Sequence, residues 1–463
     1  MLEAVGRPGT GGWPLAASSP PGMKLPTVRL RPAWIARFRS NAPMAGSLLT
    51  GVAGQAALLV SGVLVARMLG VEDRGFLALL MLTPVIISRL GGLGLPISVS
   101  YFVAGEPARA RAIAHSLAGA YLSQALCIVA VHFVVLSLLT RDDPEMVWSA
   151  GLITLTVGPA SLAHEYGLGL LQGQQRFRPF NLLRLVPAGA YAIGILLLFI
   201  LGADNLIFAG VAYSVSTVVA GGAALTIALV GLRHGETAPS PSRRQMVRFG
   251  LRGLLGSAAP SETFRLDQAV VGLFLSPAAL GLYVVALAFT NLPRFLGQSV
   301  GMVAYPRVAS SDDAVEARRA TWRFVAFAGV VSLLVAGVLE ILAGWLIRFF
   351  FGEEFAPALP LVRILLIAAV FWSVRWTLAD AVRGAGLPAL GSIAELVSWI
   401  TLPLAFAVLL PLAGLQGVAL AMVLSAVASV ATLVTGFVAV TREPTFGLRW
   451  IRARVLTMEG GAR

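Results

Sequence analysis

Apolar residues in this chain gather into long uninterrupted runs, separated by short polar breaks, from about residue 44 to residue 440. A run of roughly 20 largely apolar residues is the length that crosses a bilayer as a helix. Twelve such spans are expected: 44–69, 76–104, 114–139, 146–172, 179–201, 205–231, 249–275, 278–306, 321–350, 357–383, 388–410 and 414–440. The longest internal polar break, Leu232 to Arg248, divides them six and six. Strands of a membrane barrel would instead alternate over about ten residues. The pattern predicts an all-α polytopic membrane protein with about twelve transmembrane helices. Its expected organisation is a polar tail over 1–43, a first six-helix lobe over 44–231, a linker over 232–248, a second lobe over 249–440 and a tail over 441–463.

Composition narrows the class. Of 463 residues, 57% are apolar and 12% charged, and the mean hydropathy is +0.83. Soluble domains hold about 45–50% apolar and about 25% charged residues, so a soluble enzyme, a disulfide scaffold and a disordered chain are excluded. Cys127 is the single cysteine and no Cys/His cluster has metal spacing, so neither a metal nor a cofactor is expected.

Charge then sets orientation. The net charge of +13 comes from 35 Lys+Arg against 22 Asp+Glu. In a membrane chain this reads as topology rather than nucleic-acid binding, because cytoplasmic loops collect Lys and Arg. With the N-terminus inside, inside segments hold 24 basic residues and outside loops four, Arg67, Arg74, Arg141 and Arg348. Eight acids also fall outside: Glu72, Asp73, Asp142, Asp143, Glu145, Asp204, Glu353 and Glu354. Both termini are therefore expected in the cytoplasm and the protein in the cytoplasmic membrane. The first tail lacks the features of a signal peptide, and Met23 and Met44 are alternative starts. Within it, Arg29–Arg39 interleaves arginines with Leu30, Trp34, Ile35 and Phe38, a makeup that suits an anionic membrane surface, with a plain disordered leader as the alternative.

The halves resemble each other. Ala66–Leu77 and Gly272–Tyr283, 206 residues apart, each end a span, turn tightly and restart on Gly plus an apolar or aromatic residue. Leu170–Gly173 before Pro179 and Ala381–Gly384 before Pro388 match at an offset of 211. With an even number of spans per half, this predicts a parallel repeat about an axis along the membrane normal, the alternative being a chance match between apolar helices that end in Gly.

The same segments carry a family resemblance. Leu64-Val65-Ala66-Arg67-Met68-Leu69-Gly70-Val71-Glu72-Asp73-Arg74-Gly75-Phe76 resembles the first-hairpin motif of bacterial polysaccharide flippases, with Val71 where that motif usually has Pro. Leu266–Gly272, continuing through Ser276–Tyr283, resembles their seventh and eighth helices, and Phe351–Ala358 their ninth-to-tenth loop. The family is the polysaccharide branch of the multidrug/oligosaccharidyl-lipid/polysaccharide exporter superfamily. The resemblance implies two pseudo-symmetric lobes facing across a central cavity bordered by helices 2, 7 and 8. It also implies a polyprenyl-diphosphate-linked oligosaccharide as cargo, and proximity to a polysaccharide polymerase and other assembly proteins.

Charges inside the spans test that implication, since a buried charge is costly and should face a cavity or a partner. Arg89, Arg265, Arg294 and Arg375 lie away from span ends and are the candidate cargo contacts, because a guanidinium fork suits a diphosphate. Internal neutralisation is the alternative: Arg265 by Glu262 on the same helical face or by Asp267, and Arg375 by Asp380, or by stacking on Trp372 or Trp376. Arg184, Arg252 and Arg363, near span ends, are expected to snorkel or pair locally. Asp267, Glu262 and Asp380 are candidate ion-coupling carboxylates, with structural pairing as the alternative. His132 and His164 are expected to hydrogen-bond between helices. Gly91-Gly92-Leu93-Gly94 beside Pro96 is the expected bend in span 2. A drug exporter would favour an acidic pocket over these arginines, and a membrane polymerase or glycosyltransferase would need a large catalytic loop, so a flippase is the expected function and enzymatic activity is not expected.

Overall fold

The computed structural model describes residues 33–140, 145–230, 232, 241–257, 259–311 and 313–442. The chain separates into Met1–Pro43 and Met44–Arg463. Of the first unit only the backbone of 33–43 is described, and it is helical, so helix formation starts at Ala33 inside the stretch read as tail. The side chains of the Arg29–Arg39 stretch, the Arg233–Ser240 part of the linker and the tail beyond Arg442 lie outside the described residues.

The elements are α1 (Ala33–Gly91), α2 (Leu95–Gly105), α3 (Ala110–Leu139), α4 (Glu145–Thr154), α5 (Val157–Gly173), α6 (Phe177–Leu201), α7 (Leu206–Val230), α8 (Arg243–Ser257), α9 (Leu266–Phe274), α10 (Pro277–Ala288), α11 (Asn291–Ala309), α12 (Ala314–Leu346), α13 (Leu359–Gly384) and α14 (Pro388–Arg442). Among the described residues there is no strand.

Two of these elements are each a pair of spans. Gly70 in α1 and Gly414 in α14 have positive φ values of 73° and 51°, which reverse the chain where a side chain would be strained. In α14, Ser429 Oγ donates to Ala394 O at 3.2 Å. On one straight helix those residues would stand about 50 Å apart, so the two arms lie antiparallel. Among the described residues, helices long and apolar enough to cross a membrane number eight, or nine with one bent pair. Resolving the two hairpins and joining the broken pairs recovers the twelve expected spans.

Four spans are broken. Span 2 breaks where expected, with Leu93 and Gly94 both at positive φ and Pro96 in the first turn of α2. Span 4 breaks at Leu155–Thr156, and span 8 bends by 45° between α10 and α11. Span 7, expected as one helix over 249–275, is two. Pro260 supplies no N–H, and the local bonds Thr263 N to Ala259 O (2.9 Å) and Leu266 N to Pro260 O (3.1 Å) close turns in place of a continuous helix. That break also defeats the same-face pairing of Glu262 with Arg265, whose φ is +46°.

Large apolar side chains point outward, as Ile341 (83% exposed) and Leu412 (77%) do, and the interior is rich in small residues. This is the distribution a lipid solvent selects, because apolar surface gains nothing by hiding from hydrocarbon while close backbone approach gains dispersion contacts. Several of the tightest approaches tie the two halves together. A Cβ on Gly75 would collide with the Pro277 carbonyl, and one on Gly281 with the Val71 carbonyl. Gly75→Val is therefore expected to lower the Tm of the detergent-solubilised protein by several degrees, since overpacking a fixed backbone contact costs about 1–3 kcal/mol. An unchanged Tm in a thermal-shift measurement would contradict this contact.

Candidate functional site

Between the segments of the two halves lies a cavity of about 340 Å³, in the range of small-ligand sites. Its first-half wall is built by both arms of the α1 hairpin, from Gln55 to Val65 and from Arg74 to Met81, with Tyr191 of α6. The second-half wall is the span 7 break and α9 (Ser261, Glu262, Arg265, Asp267, Gln268), α10 and α11 (Val284 to Gln298), and single residues of later elements, including Trp372.

Three arginines and two carboxylates stand in this lining: Arg74, Arg265, Arg294, Glu262 and Asp267. Arg294 sits in the first turn of α11. Its Nη2 lies 3.2 Å from Glu262 Oε1, its Cζ lies 4.8 Å from the centre of the Trp372 ring, and its Nε is buried with no acceptor. Glu262 Oε1 also accepts from Trp376 Nε1 at 2.8 Å. Arg74 Nε is likewise buried without an acceptor. Arg265 has no ion-pair partner among the described residues, and its left-handed backbone, unusual for a residue with a Cβ, is held by the turn that ends the span 7 break. Asp267 Oδ2 accepts from Tyr283 Oη at 3.0 Å while its Oδ1 is buried without a donor. The lining thus offers guanidinium N–H groups that the protein itself leaves unsatisfied, at a low-dielectric site where an anion would complete them.

The structure separates the other candidates from this cavity. Arg89 pairs with Glu165 at 2.9 Å, between α1 and α5. Arg375 pairs with Glu395 and donates from Nε to Ser429 Oγ at 2.8 Å, rather than meeting Asp380 or a tryptophan face. Asp380 pairs with Arg383 at 3.0 Å. Arg363 pairs with Glu340 at 2.9 Å, and Arg184 stands over Phe180. His132 meets Thr83 at 3.3 Å and His164 meets Leu183 O at 3.1 Å, each between two helices. Among the described residues no group of three or more His, Cys, Asp or Glu could hold a metal ion.

Arg74 is the site residue that sequence reasoning missed. Its sequence neighbours, Glu72, Asp73 and Gly75, predict an outside turn. Helix resumes at once after Gly70, however, and Arg74, Ala78 and Met81 fall at i, i+4 and i+7 on one cavity-facing stripe. The same spacing in Asn291, Arg294, Phe295 and Gln298 was also available.

Contacts bridge the halves at both ends of span 2. Near Gly70, Arg67 donates from Nε to Phe350 O at 2.8 Å and from Nη2 to Phe349 O, meeting carbonyls of the π-helical turn Ile347–Phe351 that follows α12. Near Gly94, Ser98 Oγ donates to Met246 O at 2.5 Å, and the Tyr101 and Phe249 rings stack at 4.3 Å.

A family model described as polysaccharide biosynthesis protein matches residues 45–312. No curated protein sequence matches the chain. Among solved structures, the lipid II flippase MurJ in an inward closed conformation is similar, with a TM-score of 0.68 at 13% identity over 84% of this chain and 87% of that one. A multidrug resistance MATE family transporter in an inward-facing conformation has a TM-score of 0.63 at 17% identity, over 88% of this chain and 96% of that one. The eukaryotic MATE transporter AtDTX14 has a TM-score of 0.56 at 14% identity, over 91% and 99%. The shared fold is a bundle of twelve spanning helices in two pseudo-symmetric lobes around a central cavity.

Proposed function

Because the chain belongs to the polysaccharide biosynthesis protein family, we propose that it carries a polyprenyl-diphosphate-linked oligosaccharide from the cytoplasmic to the outer leaflet of the inner membrane. The observation that carries this reading is the cavity between the halves, where Arg74, Arg265 and Arg294 converge and two buried guanidinium nitrogens lack acceptors. The diphosphate would take those donors, the sugar would meet Gln55, Gln268, Asn291 and Gln298, and the prenyl tail would stay in lipid. In this reading Asp267 and Glu262 couple an ion to this movement, and Arg89, Arg375 and Asp380, each held in an ion pair, support their helices.

The lobes are 44–231 and 249–440, joined by 232–248. Both termini lie in the cytoplasm, on the strength of the arginine distribution, which puts the Gly70 turn outside and the Gly94 break inside. Alternating access would use the breaks in spans 2, 7 and 8 as bends, with the Arg67 contacts closing the outer end. Polymerases that consume the delivered glycan are its proposed partners in surface polysaccharide assembly. A cationic-drug exporter of the same fold is the second reading, disfavoured by an arginine-rich lining.

The test is reconstitution. Proteoliposomes containing the protein should make a lipid-linked glycan on the inner leaflet accessible to an external glycosidase, and empty vesicles should not. A deletion strain that exports polysaccharide normally but becomes sensitive to cationic drugs would sink the proposal.

A further inference from the structure

α8 carries a charged face that the cavity does not use. Arg244, Arg248 and Arg252 recur every four residues along it and all are exposed. α8 contains no acid, and none of the three makes an ion pair among the described residues. The opposite face is pinned to α2. Met246 is fully buried and its carbonyl takes the Ser98 hydroxyl, and a Cβ on Gly250 would stand 2.6 Å from the Gly94 carbonyl. Met246 and Gly250 are offset by two residues from the arginines, about 200° around the helix. The arginine face therefore points away from α2, on the side opposite this close backbone contact. Its three guanidiniums cover about 12 Å of helix length. The C-terminal end of α8 runs into the span 7 break, whose Ser261, Glu262 and Arg265 line the cavity.

We propose that this arginine face is a loading site for the diphosphate group of an isoprenoid-linked lipid at the inner leaflet, an inference that rests on the transport reading above. Topology alone asks for a number of basic residues, not for a period of four on one unobstructed stripe. A lipid phosphate is attracted to basic side chains at the interface, and a guanidinium binds it with two parallel hydrogen bonds. Successive arginines one helical turn apart let a diphosphate exchange one fork for the next without losing all its partners. A diphosphate diester also brings two negative charges where an ordinary anionic phospholipid brings one. The stripe lies on the helix that precedes, along the chain, the break whose Arg265 lines the cavity.

The experiment compares the wild-type protein, R244Q/R248Q/R252Q and R244K/R248K/R252K in neutral phosphatidylcholine proteoliposomes, using polyprenyl-diphosphate N-acetylglucosamine at graded density. The glutamine triple is expected to raise the apparent KM about tenfold with kcat unchanged, and the lysine triple to fall between. KM does not depend on how many molecules inserted the right way up, so a purely topological role would leave it at the wild-type value and overturn the proposal. A KM difference that appears only when phosphatidylglycerol is added would assign the stripe to bulk phospholipid and overturn it as well. If the wild-type protein moves no such cargo, the transport reading fails separately. A photoactivatable polyprenyl diphosphate still decides the loading site: labelling of α8 supports it, and labelling confined to other elements refutes it.

Discussion

Replacing Arg294 with alanine is expected to cut cargo flux about a hundredfold. Among the described residues, Arg294 is the one cavity arginine both paired with a carboxylate and backed by an aromatic face, so its guanidinium is fixed before cargo arrives. Each charge-assisted hydrogen bond is worth about 1.5–3 kcal/mol, and losing a two-pronged contact to a diphosphate reaches the stated factor. Electrostatics adds to the loss. The described lining holds three arginines and two carboxylates, so without Arg294 its formal charge falls to zero and Glu262 faces incoming phosphate unopposed. The measurement is the initial rate of lipid-linked glycan transfer in proteoliposomes, with export in a deletion strain as the cellular readout. R294K should retain part of the rate, since lysine keeps the charge but loses the fork. Arg375→Ala is the contrast. It strands Glu395 in the interior, so it should lower Tm while leaving the KM of the surviving protein near wild type. Wild-type KM and kcat in R294A would remove Arg294 from the cargo path.

The division between what the chain's pattern reveals and what it conceals has a physical basis. Twelve spans are legible because a bilayer demands about 20 apolar residues per crossing, whatever the neighbours. The bend in span 2 is legible because glycine and proline act locally on the backbone. Partner choice is not local. Arg375 is three, one and five residues from Trp372, Trp376 and Asp380, yet it turns to Glu395 on the first arm of α14 and to Ser429 on the second, which the folding of α14 back on itself brings beside it. Arg89 looked alike in sequence and is satisfied by Glu165 on another helix. Arg74 was hidden for the opposite reason. A short turn with two acids resembles solvent-exposed loop, and only the immediate restart of helix after Gly70 turns its side chain inward.

The Arg294–Glu262 pair leads to the second large effect, in the opposite direction. In the cavity as it stands, the guanidinium that suits cargo phosphate is held by a carboxylate of the same protein, 3.2 Å away. Phosphate and Glu262 compete for one fork, so cargo binding must displace Glu262, and cargo release is assisted by its return. Glu262 lies in the span 7 break, outside any regular helix, so little backbone order is lost when it swings aside. Glu262→Gln removes the competing charge but leaves an amide oxygen that can still accept from Trp376. A partly buried pair of this kind is worth about 1–1.5 kcal/mol, so the apparent KM for cargo is expected to fall about tenfold. The maximal rate should fall with it, because a carrier that binds its cargo more tightly at both faces releases it more slowly. The two parameters separate this role from simple structural support, which would lower activity through stability without tightening binding. A raised KM in E262Q, measured beside the wild-type protein in the same vesicles, would show that Glu262 helps to hold cargo rather than to dislodge it.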